Sequence, residues 1–233
     1  MDRVRDTGGS LFEAVVGAPL QRYGPRLTLN AAPDPGEHAV ALGFGAHPWG
    51  PPNWYGVRFD PAGAVIIKPY HRTSRWPDGV RPPPGLPAGL AVELAARHDG
   101  RTEVYLRRTV DRPWSELATT CAGLVGGAAP SCAPVPRDVP LAHCVSLSWT
   151  GDRLTAVTLY ATDRCLPDDR AVAAAWQPGL TPVDRRTYEA TLGAVRALGR
   201  HGHESHHGML GWTATADGET TRAVSLRVRD PHS

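Results

Sequence analysis

Five times along the chain two strand-like runs face each other across a short turn, which restricts the fold to one built from consecutive antiparallel hairpins. The runs are 26–30 with 38–44, 54–59 with 65–72, 90–97 with 102–109, 144–149 with 154–162, and 209–215 with 221–229. The turns between them are Pro33-Asp34-Pro35-Gly36, Asp60-Pro61-Ala62-Gly63, Asp99-Gly100, Gly151-Asp152 and Asp217-Gly218. Asp-Gly is a strong hairpin signal because a two-residue turn that matches strand twist needs positive φ at its centre.

Side chains alternate faces along a strand, so Lys68, Tyr70 and Arg72 share one face, as do Arg101, Glu103, Tyr105 and Arg107. The opposite parity is mainly aliphatic: Val104 and Leu106, Val157 and Leu159, then Val224, Leu226 and Val228. In a simple sandwich the polar face meets water. In a closed barrel the polar face lines a lumen and helices cover the aliphatic face. Tyrosine recurring at one strand position, Tyr70, Tyr105 and Tyr160, favours closure.

Helices are expected at residues 10–23, 114–125, 169–176 and 182–198. The first carries a capping-box pair, Ser10 and Glu13. The last has Val183, Asp184, Tyr188, Leu192, Val195 and Leu198 at helical spacing. Segments 45–53, 74–89 and 130–140 are rich in proline or glycine and are expected to be irregular. No linker divides the chain, so residues 1–233 are expected to form one domain.

The 233 residues are 41% hydrophobic and 21% charged, ordinary for a folded chain. No apolar run approaches the about 20 residues of a membrane span, and the N-terminus lacks a secretory pattern, so no membrane association and a cytoplasmic location are expected. A net charge of +2 is too mild for a nucleic-acid partner. The four cysteines form no CxxC pair and read as free thiols. Lys68 is the single lysine among 25 basic residues, a compact point charge in an arginine background.

These strands resemble those of the ABBA-type aromatic prenyltransferases. The resemblance rests on Lys68-Pro69-Tyr70 for the family's Lys-x-Tyr strand, Arg101-Thr102-Glu103-Val104-Tyr105 for its Arg-x-Lys-x-Tyr strand, and Gly24-Pro25-Arg26-Leu27-Thr28-Leu29-Asn30 for its first strand. It implies an α+β fold: an antiparallel barrel of ten strands in five hairpins with helices outside, here with an incomplete helix shell. It further implies transfer of an allylic group from a prenyl diphosphate to an indole or phenol acceptor, in secondary metabolism. Lys68, Arg72, Arg101, Arg107 and Arg227 would hold the diphosphate, because ionisation needs cations on the leaving group. Tyr70, Tyr105 and Tyr160 would shield the allyl cation. Glu103, Glu93 and Tyr160 are the proton-transfer candidates, and Arg26, Trp149 and Trp212 the acceptor contacts. Lys68→Ala should abolish activity, whereas Tyr105→Phe should be nearly silent unless its hydroxyl is used. No cofactor is required, with magnesium alone left open beside the diphosphate. Barrel wall left uncovered near 45–53 and 74–89 suggests a homodimer.

Three other readings compete. A non-prenylating cyclase or isomerase could use the same barrel on an aromatic intermediate, with Glu103 and Glu93 as acid and base. A carrier could hold a hydrophobic ligand among the seven tryptophans. Four histidines within residues 201–207 could bind zinc, but His203-Glu204-Ser205-His206 is one residue short of the helical HExxH spacing. That segment is read instead as a solvated linker, with no metal site.

Overall fold

The computed structural model describes residues 10–18, 26–30, 49, 52, 54–59, 65–108, 114–127, 143–162, 180–199 and 204–229. Ten strands lie among the described residues: β1 Ser10–Ala18, β2 Arg26–Asn30, β3 Trp54–Phe59, β4 Val65–Arg72, β5 Leu90–His98, β6 Arg101–Arg108, β7 His143–Thr150, β8 Arg153–Thr162, β9 Glu204–Thr215 and β10 Thr220–Arg229. They form a curled, wholly antiparallel sheet in sequence order, and β1 bonds to both β2 and β10, so the strand order closes on itself. Side chains are described on the seven strands from β4 to β10, and β1 to β3 as backbone alone.

The Asp99-Gly100 turn forms as expected for a two-residue hairpin, with φ of 48° and 68°. It fixes His98 opposite Arg101 and so the register of β5 on β6. Four bulges then shift side chains between faces, one of them at Leu11 in β1 against β10. In β5, Val92 pairs with Leu106 and Leu94 with Tyr105, leaving Glu93 as the extra residue. In the β7–β8 pair the extra residue is Thr155, and in β9 against β10 it is Gly208.

Two helices are described, α1 Trp114–Gly123 and α2 Pro182–Gly199. α2 starts on a reciprocal cap: the Asp184 amide donates to Thr181 Oγ1 at 3.1 Å, and that hydroxyl donates to the Asp184 carboxylate at 2.8 Å. Pro182 stands at its first turn, where a missing N–H costs nothing. Its inner face carries Asp184, Tyr188 and Val195, all buried, at spacings of four and seven. α2 lies over β1, β9 and β10, and α1 over β8.

The hydrophobic core sits between helices and sheet, not inside the curl. Val104, Leu106, Val145, Leu147, Val157, Leu159, Leu210, Val224 and Leu226 join Leu117, Ala118 and Cys121 of α1 and Tyr188 and Val195 of α2 in one cluster. Burying each such aliphatic side chain contributes about 1.5–3 kcal/mol.

Several expectations change. Residues 10–18 are a strand, not a helix, because Glu13, Ala14 and Val15 sit in a ladder paired on both edges, and two ladders outweigh a local Ser10–Glu13 cap. The first hairpin is therefore β1 with β2, and the expected partner run 38–44 lies outside the described residues, as does the expected helix 169–176. The histidine-rich segment is not a solvated linker throughout. Residues 204–207 belong to β9, and His207 is 2% exposed, its Nε2 2.8 Å from the Tyr188 hydroxyl under α2. His201 and His203 lie outside the described residues. Finally, segment 74–89 is irregular as its prolines require, yet it covers the wall itself: Val80 is buried in the core, with Trp76 and Leu86 packed against it. The reason for expecting a second copy there falls away.

Candidate active site

The polar parity of β4, β5, β6, β7, β8 and β9 forms one continuous belt on the face opposite the helices. Register places Tyr70 beside Ala96, Ala96 beside Glu103, Glu103 beside Ser148, Ser146 beside Thr158 and Thr158 beside Thr213. These groups do not look into bulk solvent: Lys68 is 5% exposed, Glu103 8% and Tyr105 8%. A polar face buried with none of the described helices over it is the concave inner wall of the curled sheet.

At the centre of the belt lies a four-residue network. Lys68 Nζ donates to Glu103 Oε2 in a buried ion pair and to the Tyr105 hydroxyl at 2.6 Å. The Tyr105 hydroxyl donates in turn to Glu103 Oε2 at 2.7 Å. The second carboxylate oxygen, Oε1, is 3.0 Å from His98 Nε2. Burial would push the Glu103 carboxyl up, but the Lys68 charge and the His98 hydrogen bond outweigh it and hold the group well below its ordinary value of 4.5. Burial pushes the Tyr105 phenol well above its ordinary value of 10.0, with the Glu103 charge adding to the effect. Glu103 is thus a carboxylate and Tyr105 a neutral phenol at neutral pH.

The three tyrosines form a wall beside this network. Ring centroids of Tyr70 and Tyr105 are 5.5 Å apart, and those of Tyr105 and Tyr160 are 6.3 Å apart with planes 28° from parallel. Lys68 Nζ lies 4.7 Å from the Tyr70 centroid and 5.1 Å from that of Tyr105, within cation–π range. The Tyr160 hydroxyl meets that of Ser146 at 3.2 Å. Tyr160 lies flat against β9 because Gly211 is opposite it; a Cβ there would come within 3.2 Å of the ring.

Toward the end of the sheet where β4 and β6 finish, a cavity of about 580 Å³ is lined by Arg72, Thr73, Ser74, Arg75, Glu93 and Arg107, among others. Arg107 Nε is 3.2 Å from Glu93 Oε2, a pair the β5 bulge makes by freeing Glu93 from the ladder. Among the described lining residues, three guanidinium groups stand against one carboxylate. Tyr70 and Arg72, and likewise Tyr105 and Arg107, are two residues apart on one strand face, so the cationic mouth opens above the tyrosine wall by about 7 Å.

The sequence-derived candidates therefore separate. Tyr70, Tyr105, Tyr160, Glu103 and Lys68 come together. Arg72, Arg107 and Glu93 gather at the mouth. Arg101 is exposed at the far end of β6, six residues or about 20 Å from Arg107, and joins neither group. Trp149 and Trp212 are not on the belt: both belong to the core cluster under the helices, Trp212 pairing with outward Leu159 and Trp149 packing edge-on against Trp76 at 6.0 Å. They are corrected from acceptor contacts to core residues. Arg26 and Arg227 are placed by backbone register only, opposite Arg58 and His206. The Tyr105 hydroxyl is used, in two hydrogen bonds, so the condition under which Tyr105→Phe would be nearly silent is not met.

Two residues escaped the sequence reading. Arg75 lies in the proline-rich segment, where no periodicity assigns a direction. His98 was in reach: the two-residue turn sets it opposite Arg101, whose parity is that of Glu103.

No protein-family model matches the sequence, and no curated protein does. Solved structures match nearly the whole chain. The 5-dimethylallyltryptophan synthase from Streptomyces coelicolor is 17% identical, with a TM-score of 0.58 over 93% of this chain and 80% of that one. The chain has a prenyltransferase fold. AnaPT from Neosartorya fischeri is 12% identical, with a TM-score of 0.59 over 94% of this chain and 78% of its own. The prenyltransferase PriB, solved with L-tryptophan and dimethylallyl thiolodiphosphate, is 16% identical, with a TM-score of 0.56 over 95% of this chain and 82% of its own. At these identities the likeness is one of architecture.

Proposed function

We propose that the chain is an aromatic prenyltransferase, moving an allylic group from a prenyl diphosphate to an aromatic acceptor inside a complete ten-stranded barrel. The observation that carries this reading is the stacking of two unlike zones: a cationic mouth at Arg72, Arg75 and Arg107 directly above an electron-rich wall of buried Tyr105 and half-buried Tyr70 and Tyr160. The likeness of fold to solved prenyltransferases supports it.

The chemistry divides along that boundary. The allylic C–O bond breaks with its electron pair leaving on the diphosphate, and cations around the mouth stabilise that developing charge by several kcal/mol. The allyl cation faces the tyrosine rings, each worth about 0.5–2 kcal/mol of attraction, and the buried Glu103 carboxylate lies beside them. Ring π electrons of the acceptor then form the new C–C bond. Lys68 serves differently from the diphosphate ligand read in the sequence. Its charge is matched by Glu103, and it holds that carboxylate and the Tyr105 phenol in place.

Titration calorimetry with dimethylallyl thiolodiphosphate, which binds without ionising, tests the reading. Saturable heat is expected, weakened about tenfold or more in Arg107→Ala by loss of a charge-assisted contact. No heat at millimolar analogue would overturn it.

A further inference from the structure

The acceptor ring must lose a proton after the new bond forms, and none of the carboxylates read from the sequence is suited to take it. Both oxygens of Glu103 are engaged, by Lys68 and Tyr105 on one side and His98 on the other. Glu93 is paired with Arg107 at the mouth. His98 is differently placed. Its side chain is 6% exposed, and its parity is that of Ala96 and the polar belt. Nε2 faces Glu103 Oε1 at 3.0 Å, whereas Nδ1 is buried with no hydrogen-bond partner.

An ionised carboxylate only accepts hydrogen bonds, so the imidazole nitrogen facing it carries the proton. In the neutral ring the lone pair then sits on Nδ1. A carboxylate that fixes a tautomer and steadies the imidazolium that follows is the working arrangement of carboxylate–histidine dyads. Lys68 on the far oxygen keeps Glu103 from taking the proton itself. Among the described residues, the other charged groups next to His98 are Arg101, opposite it on β6, and Arg97 and Asp99, its neighbours in the chain, all exposed.

Building on the prenyl-transfer reading, we propose that His98 is the proton acceptor of the reaction, oriented by Glu103. As the ring C–H bond breaks, its electron pair restores aromaticity and the proton passes to His98 Nδ1; the diphosphate has already left with the C–O pair, so charge and atoms balance.

Two measurements test this. Nitrogen-15 spectra of the histidine-labelled chain in mildly alkaline buffer, with His98 assigned from its loss in His98→Gln, are expected to show protonated Nε2 and unprotonated Nδ1. A proton on Nδ1 overturns the proposal. The second reads products from dimethylallyl diphosphate and L-tryptophan. The amide introduced by His98→Gln can still donate to Glu103 but cannot accept the ring proton, so diphosphate release should continue while water captures the cation. The ratio of prenylated tryptophan to released diphosphate should fall about a hundredfold, within the range of general-base contributions. An unchanged ratio in His98→Gln overturns the assignment, whereas a purely structural loss lowers both products together. If the unaltered chain releases no diphosphate from this pair, the prenyl-transfer reading is what fails, and the nitrogen spectrum still decides the dyad.

Discussion

Replacing Lys68 with methionine keeps most of the side chain's length and removes only the charge. The side chains of Lys68 and Glu103 are 6% and 11% exposed, so the scale that applies is that of a buried pair, not a surface one. Removing one partner leaves the Glu103 carboxylate buried and uncompensated, a cost of about 3–5 kcal/mol. For a chain of 233 residues that corresponds to a fall in Tm of about 6–20 °C. Acidification should shrink the deficit. With Lys68 gone, only the His98 contact is left to oppose the upward push of burial on the carboxyl, so the penalty exists above the folded pKa and is relieved as pH falls through it. Adding Glu103→Leu should bring stability back to within about 1 kcal/mol of the starting protein or beyond it, because the desolvation cost of both ions disappears. Urea melts of the four proteins at neutral and acid pH measure the cycle. If each single variant lies within about 1 kcal/mol of the original, the pair is solvated and the buried belt is misassigned.

Gly211→Ala should destabilise by about 1–3 kcal/mol and displace Tyr160, since the new methyl comes within 3.2 Å of its ring; thermal melts and near-ultraviolet tyrosine signals would report it. Tyr188→Phe removes the 2.8 Å bond to His207 and should cost about 1–2 kcal/mol in urea melts while leaving thiolodiphosphate binding unchanged, because that pair lies on the helix side. In the unaltered chain, the depressed Glu103 pKa contributes stability that is fully present above 4.5 and drains away as pH falls from there through the folded value, so the loss in acid melts should set in near pH 4.5 and level off below the folded value.

Much of this arrangement can be read from alternation alone. Lys68 with Tyr70, and Glu103 with Tyr105, fall on one parity in the sequence, and their burial away from the helices follows once Val104, Leu106, Val157 and Leu159 are seen to need a cover. Alternation fails where a residue is inserted. The Glu93 bulge moves Leu90 and Val92 to one side and Leu94, Ala96 and His98 to the other, which no period-two count along β5 can show. The turn at Asp99-Gly100 offers an independent route to His98, because register propagates from a fixed turn regardless of what lies upstream. At the N-terminus a local signal misleads: Ser10 and Glu13 fit a helix cap, but the segment fills the gap between β2 and β10, a demand set by distant strands. For Trp149 and Trp212, pairing with Thr102 and Leu159 reveals the outward direction. The likeness of Glu103 to a lysine position in the Arg-x-Lys-x-Tyr strand reads as a lost cation; in the fold it is the partner that neutralises the single lysine.

A crystal structure of the chain with dimethylallyl thiolodiphosphate and L-tryptophan tests the central claim most directly. The account predicts the diphosphate among Arg72, Arg75 and Arg107, with the dimethylallyl chain descending along Tyr70 and Tyr105 toward Glu103. Ligand bound instead beneath the helices beside Trp149 and Trp212, or among the exposed groups around Arg101, would contradict it.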